Sequence, residues 1–215
     1  MNQGRYVEAA ELFAANETYF RDNEAALRDA GHGEWLGHAS FHRGLIAWVR
    51  GDDERARVLL HDAVESWDRS GVPAGGTDPL RYLGLIACAA GDLDEAAVQF
   101  REVMTRLRHL GSRAAIAVGL ADVATFAAAR EAWQSAARLF AKAEALLQAE
   151  AAAFSLPARD HYEEAHDRAR EALGDAASQA AAVAGRALSV EQALAEAEVV
   201  LELDREGGSG ATPAP

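Results

Sequence analysis

At 215 residues the chain is long enough for one or two domains, each with a buried core. Half of it is hydrophobic but only 7% is aromatic, and alanine dominates the apolar set, which favours closely packed helices over sheet. A formal net charge of −13 argues against nucleic acid or an anionic membrane as a partner, because both are gripped by Lys and Arg.

The lone cysteine, Cys88, leaves no internal disulfide to form. No apolar run reaches the ~18 residues that would span a bilayer, and the N-terminus lacks a basic-then-apolar leader. These features read together as a cytoplasmic protein.

The first predicted helix covers about 4–29 and opens with GRYVEAAELF. Helices over about 34–50 and 52–70 follow, and the second of them starts GDDERARVLL. The stretch SGVPAGGTDP (70–79) is a loop, after which Asp78 as N-cap and Pro79 at the first helical position open a helix to about 90. GDLDEAAVQF begins the next, over about 92–110, and helices over about 112–129 and 132–151 complete the regular part. Beyond it Pro157 starts a helix to about 173, ended by Gly174, and an alanine-rich helix covers about 175–185. Ser189 and Gln192 form a capping box for a last helix to about 203. Residues 205–215 have no apolar anchor and read as disordered.

Four of these segments repeat one another. They start at residues 4, 51, 91 and 131, so the spacings are 47, 40 and 40. A fixed period in this range marks a helical solenoid. Five residues into each segment stands a small side chain: Ala9, Ala56, Ala96 and Ala136. Four residues later stands a large one: Phe13, Leu60, Phe100 and Phe140. Seven residues before the last three segments come Gly44, Gly84 and Ala124. Small residues let two helices approach, and the large ones fill the space beyond. Gly51 and Gly91 suit a left-handed C-terminal cap, and Asp52 and Asp92 sit where an acid favours the next helix. Glu131 replaces the glycine in the fourth segment, so that turn is predicted to be less ideal. The organisation expected is 1–151 as repeats with an incomplete first repeat, 152–204 as a helical cap, and 205–215 as a tail.

The segment RYLGLIACAAGDLDEAAVQF (81–100) resembles a tetratricopeptide repeat, with Leu83-Gly84, Gly91-Asp92, Ala96 and Phe100 where that family places its packing residues. The family's proline near the repeat end is absent. The period is closer to that of MalT-type bacterial regulators than to the usual ~34. The segments 135–147, 159–177 and 185–197 resemble the C-terminal region of large bacterial signalling proteins, among them LuxR-type ATPase regulators and nucleotide cyclases with repeat domains. The matching residues are Arg159, Tyr162, Leu173, Gly174, Gly185, Arg186, Ala187, Leu188 and Ser189. The resemblance implies an all-α, right-handed superhelix of tetratricopeptide-like hairpins with a C-terminal helical cap. Nucleotide and DNA binding do not carry over: no phosphate-binding loop occurs, and the last helix is acidic. The first predicted helix matches the second helix of a repeat and lacks its partner. That implies either a truncated chain or an end covered by another chain, such as a second copy.

Few residues carry a chemical signature. His38 and His42 share a helix face, but no third ligand lies at helical spacing. His161 and His166 diverge around their helix. Cys88 has no basic neighbour and reads as a buried, inert thiol. No nucleophile–base ordering appears, so neither an enzyme nor a cofactor is expected. The arginines of REVMTRLRHLGSR (101–113) read as a solvated face. In tetratricopeptide proteins the first helix of each pair lines the concave face. By that resemblance the lining is His38, Phe41, Leu45 and Trp48, then Asp78, Arg81, Leu85 and Cys88, then Val118 and Thr125. Such a floor suits a protein or peptide partner, with Phe41 and Trp48 as anchors; the chain's own tail is the competing occupant. Trp35, Trp67 and Trp133 read as inter-helix packing. The expected function is a non-catalytic interaction module, the scaffold or sensor part of a bacterial regulator. The alternatives are a small-ligand or peptide sensor, or a C-terminal fragment of a multidomain ATPase regulator without independent activity.

Overall fold

The computed structural model describes residues 22, 23, 26, 33–72, 74–154 and 156–202. Among them every regular element is a helix: α1 (Gly33–Val49), α2 (Asp53–Arg69), α3 (Thr77–Ala90), α4 (Leu93–Leu110), α5 (Arg113–Ala129), α6 (Trp133–Ala149), α7 (Leu156–Leu173), α8 (Asp175–Ala187) and α9 (Val190–Glu202). The fold is therefore all-α, built from helices joined in sequence by short turns, and each bound falls within two residues of its expected place. Of the helix expected over 4–29 only residues 22, 23 and 26 are described; Ala9 and Phe13, and the tail over 205–215, lie outside the described residues.

The turns explain why the hairpins recur. After α1, Gly51 takes φ +79° and donates to the Trp48 carbonyl at 2.8 Å, while Asp52 N–H reaches Ala47 O at 2.9 Å. This paired bonding closes the helix and requires a left-handed residue. The Asp52 carboxylate then accepts from Arg55 N–H at 3.2 Å and caps α2. Gly91 and Asp92 repeat the arrangement between α3 and α4, with Asp92 accepting from Glu95 N–H at 3.2 Å. Between α5 and α6 the same bonds form, but Glu131 carries the positive φ of 62° and Ala132 makes no side-chain cap. One boundary differs from expectation. α3 starts at Thr77, so Asp78 lies inside its first turn and pairs with Arg81 instead of capping the helix.

The chain forms two compact units, Met1–Ile86 and Ala87–Pro215, divided within α3. In the first unit α1 packs along α2. A Cβ on Gly44 would lie 2.9 Å from Leu60 Cγ, and one on Gly37 would lie 2.7 Å from the Trp67 ring. Ala56, Leu60 and Ala63 are fully buried.

In the second unit α5 is apolar on all sides because it is covered on all sides, by α4, α6, α7 and α9. Phe100, Phe126 and Phe140 fill this core, beside the buried Ala96, Ala124 and Ala136. α7 lies against α5 and α6, and α8 against α6 and α7. Gly185 brings α8 onto the α6 backbone, where a Cβ would sit 2.2 Å from Arg138 O. Lys142 Nζ donates to Leu188 O, and Arg138 pairs with Glu196 at 3.0 Å. At the start of α9, Ser189 and Gln192 form a reciprocal cap, with Ser189 N–H to Gln192 Oε1 at 2.8 Å and Gln192 N–H to Ser189 Oγ at 3.1 Å.

Candidate functional site

The helical repeat sets one face of α1 as a column of rings interrupted by Leu45, because positions 35, 38, 41–42, 45 and 48 recur every three or four residues. The His38 imidazole stands edge-on to Trp67 with centroids 4.9 Å apart, and 6.1 Å from Trp35. Phe41 lies 6.1 Å from Trp67 and 5.8 Å from Tyr82 of α3, and Trp48 meets Tyr82 edge-on at 5.1 Å. Trp67 is held rigidly, since its ring fills the space a Cβ would occupy at both Gly37 and Gly75. The two edge-on contacts, His38–Trp67 and Trp48–Tyr82, are favoured ring geometries.

Burial divides the column. Leu45, Trp48 and Leu85 are buried in the folded chain, Phe41 and His42 are half-buried, and His38 is exposed. Trp35 corrects the packing expectation: it is 52% exposed, while Trp67 is 3% exposed. Trp133 is half-buried under the Arg168 guanidinium, 6.0 Å from its ring. Arg81 is 6% exposed, bonded to Asp78 at 2.9 Å and lying 5.7 Å from the Tyr82 centroid, so the expected cation and anion of the lining are paired with each other. Burial, with a smaller push from His38, lowers the pKa of His42 and favours its neutral form. No group of three or more His, Cys, Asp or Glu able to hold a metal occurs among the described residues.

The structure places Thr125 in the second unit, buried, its hydroxyl donating to Ala121 O at 3.0 Å. Val118 is half-buried on the same helix. Between them, Asp122 is wholly buried and accepts from the Tyr162 hydroxyl of α7 at 2.5 Å. This bond is missing from the sequence reading; its signal is a single acid inside the long apolar run of α5. Cys88, expected to be buried, is half-buried. Burial, reinforced by the Asp122 charge, pushes its thiol up to about 12, so it stays protonated and unreactive.

Arg108 and Arg113 are exposed and Arg101 and Arg106 half-buried, as a solvated face requires, and three of the four pair with carboxylates there. Arg106 pairs with Glu102 at 2.7 Å, Arg113 with Glu150 at 3.1 Å, and Arg108 with Glu198 of α9, which raises the Arg108 pKa further. No described helix is long and apolar enough to cross a membrane. No family model, curated protein or solved structure matches the chain.

Proposed function

We propose that the chain is a non-catalytic protein–protein interaction module, in which the exposed Trp35 and His38 in the N-terminal half of α1 dock a segment of a partner protein. One observation supports this reading above the others. Trp35 offers more than half its surface to solvent beside His38 and the half-buried Phe41, on a bed fixed by Trp67. An exposed aromatic on a rigid support is the form that interface anchors take, each worth about 2 kcal/mol or more once desolvated. The repeated hairpins and the tetratricopeptide-like motif of 81–100 support the same reading, as does the resemblance to MalT-type and LuxR-type proteins. On that basis the module belongs in the cytoplasm, as the scaffold or sensor part of a bacterial signalling or transcription regulator. The acidic balance favours a basic partner segment over nucleic acid. A second reading, small-ligand sensing, is favoured by a cavity in the other unit, described below.

Selection of helical peptides from a random library, followed by calorimetry, tests the docking reading. Selected peptides are expected to lose about tenfold or more in affinity with Trp35→Ala, the equivalent of about 1.4 kcal/mol. Val49→Ala, at an exposed valine elsewhere on α1, is expected to leave binding unchanged. Selected binders that are all indifferent to Trp35→Ala would remove the reading.

A further inference from the structure

A cavity of about 300 Å³ lies between α6, α7 and the segment joining them. α7 contributes Arg159, Tyr162, Glu163, His166 and Asp167, whose spacing of three and four residues puts them on one helix face. α6 contributes Phe140 and Glu144, one turn apart, and the connecting segment contributes Phe154. The walls are aromatic. Phe154 and Tyr162 have centroids 4.8 Å apart, and His166 stands edge-on to Phe140 at 5.6 Å. The Tyr162 hydroxyl is committed to Asp122, which fixes the ring; Tyr162 and Phe140 are themselves buried, so Phe154 and His166, both half-buried, are the more open rings of the wall.

The rim is acidic. Glu144, Glu163 and Asp167 are exposed carboxylates, against one half-buried guanidinium, Arg159. Asp167 has an exposed neighbour in Arg170 at 3.5 Å. Surplus carboxylate over aromatic faces is the combination that holds a cation: the rings attract its charge through their quadrupoles, and the carboxylates accept its N–H groups. A negatively charged ligand would face three carboxylates, one of them already paired with Arg170 outside the lining, against the single guanidinium of Arg159.

We infer that this cavity binds a small organic cation, an ammonium or guanidinium carried on a short apolar stem. The stem lies against Phe140, Phe154 and Tyr162, and the charge is met by Glu144, Glu163 and Asp167. A cavity of this volume is at the small end of ligand sites, which limits the stem to a few carbons or one ring. The inference rests on the ligand-sensor reading and supplies its ligand class. It is independent of docking at α1, which Trp35→Ala tests separately.

Calorimetry and NMR titration with benzylammonium and butylguanidinium decide it, with benzoate as the anionic counterpart and a capped Ala-Arg-Ala peptide as a second source of the same guanidinium. Both free cations are expected to bind the full chain saturably. The double variant Glu144→Gln/Glu163→Gln is expected to weaken them tenfold or more, and Phe154→Ala severalfold. Arg159→Ala is expected to tighten them, because it removes a like charge from the cavity wall. A peptide that binds tighter than free butylguanidinium assigns the site to a protein side chain; one that binds more weakly assigns it to a free amine. Thermal melting confirms that each variant is folded. The absence of saturable binding at about 10 mM of either cation, or benzoate binding that Arg159→Ala abolishes, overturns the inference.

Discussion

Tyr162 donates its hydroxyl to Asp122 at 2.5 Å, joining α7 to α5 across forty residues of chain inside a core where the Asp122 side chain has no access to water. A buried carboxylate is costly unless hydrogen bonds compensate its lost hydration. Tyr162→Phe removes a donor and leaves the acceptor in place, so the expected loss is about 1–3 kcal/mol in urea unfolding. Asp122→Asn keeps an acceptor for the hydroxyl and is expected to cost less. Equal stability of the wild-type and Tyr162→Phe proteins would show that the bond contributes nothing.

Gly185 and Gly51 test two different reasons for having no side chain. At Gly185 a Cβ would meet the Arg138 backbone at 2.2 Å, and a backbone cannot swing aside as a side-chain tip can. Gly185→Ala therefore has to push α8 off α6, at an expected cost of about 2 kcal/mol or more. Gly51 has open space around it and a φ of +79°, so Gly51→Ala is charged only for left-handed backbone, about 1–2 kcal/mol. Chemical denaturation of the two variants is expected to give that order. Faster amide exchange in α8 is expected for Gly185→Ala alone.

The parts of this fold that could be read from the sequence are those whose cause is local. Gly51-Asp52 and Gly91-Asp92 announce a left-handed cap followed by an N-cap, because each residue acts on backbone groups within five positions. The small-then-large spacing of Ala56–Leu60, Ala96–Phe100 and Ala136–Phe140 is local in the same way. What could not be read depends on which surfaces meet. Helical spacing puts Trp35 on the same face as His38 and Leu45, yet only the packed chain decides that Leu45 is covered and Trp35 is exposed. The tetratricopeptide pattern assigns Trp48 and Leu85 to a lining face. Whether such a ring is already used in packing, as Trp48 is against Tyr82, is a tertiary fact. The cavity of α7 combines both kinds: the one-face spacing of 159, 162, 163, 166 and 167 is visible in the sequence, but the positions of Phe140 and Phe154 opposite it are not.

Cys88 supplies a pH-dependent test. Its thiol is pushed up to about 12 in the fold, above its ordinary value of 9.0, first by burial and then by the Asp122 charge. Between those values the unfolded chain has released the proton and the folded chain still holds it. The unfolded state then binds fewer protons, so stability falls as pH rises, by up to about 1.4 kcal/mol per unit from this group. Below pH 9 the contribution is constant. The difference in stability between wild type and Cys88→Ala, followed from pH 7 to 11, isolates the term. It is expected to move in favour of the alanine variant above pH 9. Labelling by a thiol reagent at pH 8 is expected to be slow in the folded protein and fast in urea.

The turn between α5 and α6 has the hydrogen bonds of its two counterparts without their residues. Glu131 N–H reaches Ala128 O at 3.1 Å and Ala132 N–H reaches Ala127 O at 2.8 Å, the same pair of bonds made at Gly51-Asp52 and Gly91-Asp92. Here, however, a side chain bears a φ of +62°, and no side-chain oxygen accepts from the first turn of α6. Glu131→Gly relieves the left-handed strain, which costs a residue with a Cβ about 1 kcal/mol. Part of that gain is offset by the larger freedom glycine gives the unfolded chain. Ala132→Asp adds the missing cap, worth about 1 kcal/mol. The double variant recreates the Gly-Asp turn and is expected to raise stability by about 1–2 kcal/mol, with the larger share from Ala132→Asp. The two residues are adjacent in one turn and share its backbone, so a double-mutant cycle is expected to show coupling of about 0.5 kcal/mol or more rather than simple additivity. A destabilised Ala132→Asp variant would mean that the α6 N-terminus is not set up to receive the carboxylate as α2 and α4 are, and that the turns share a bonding pattern without being interchangeable.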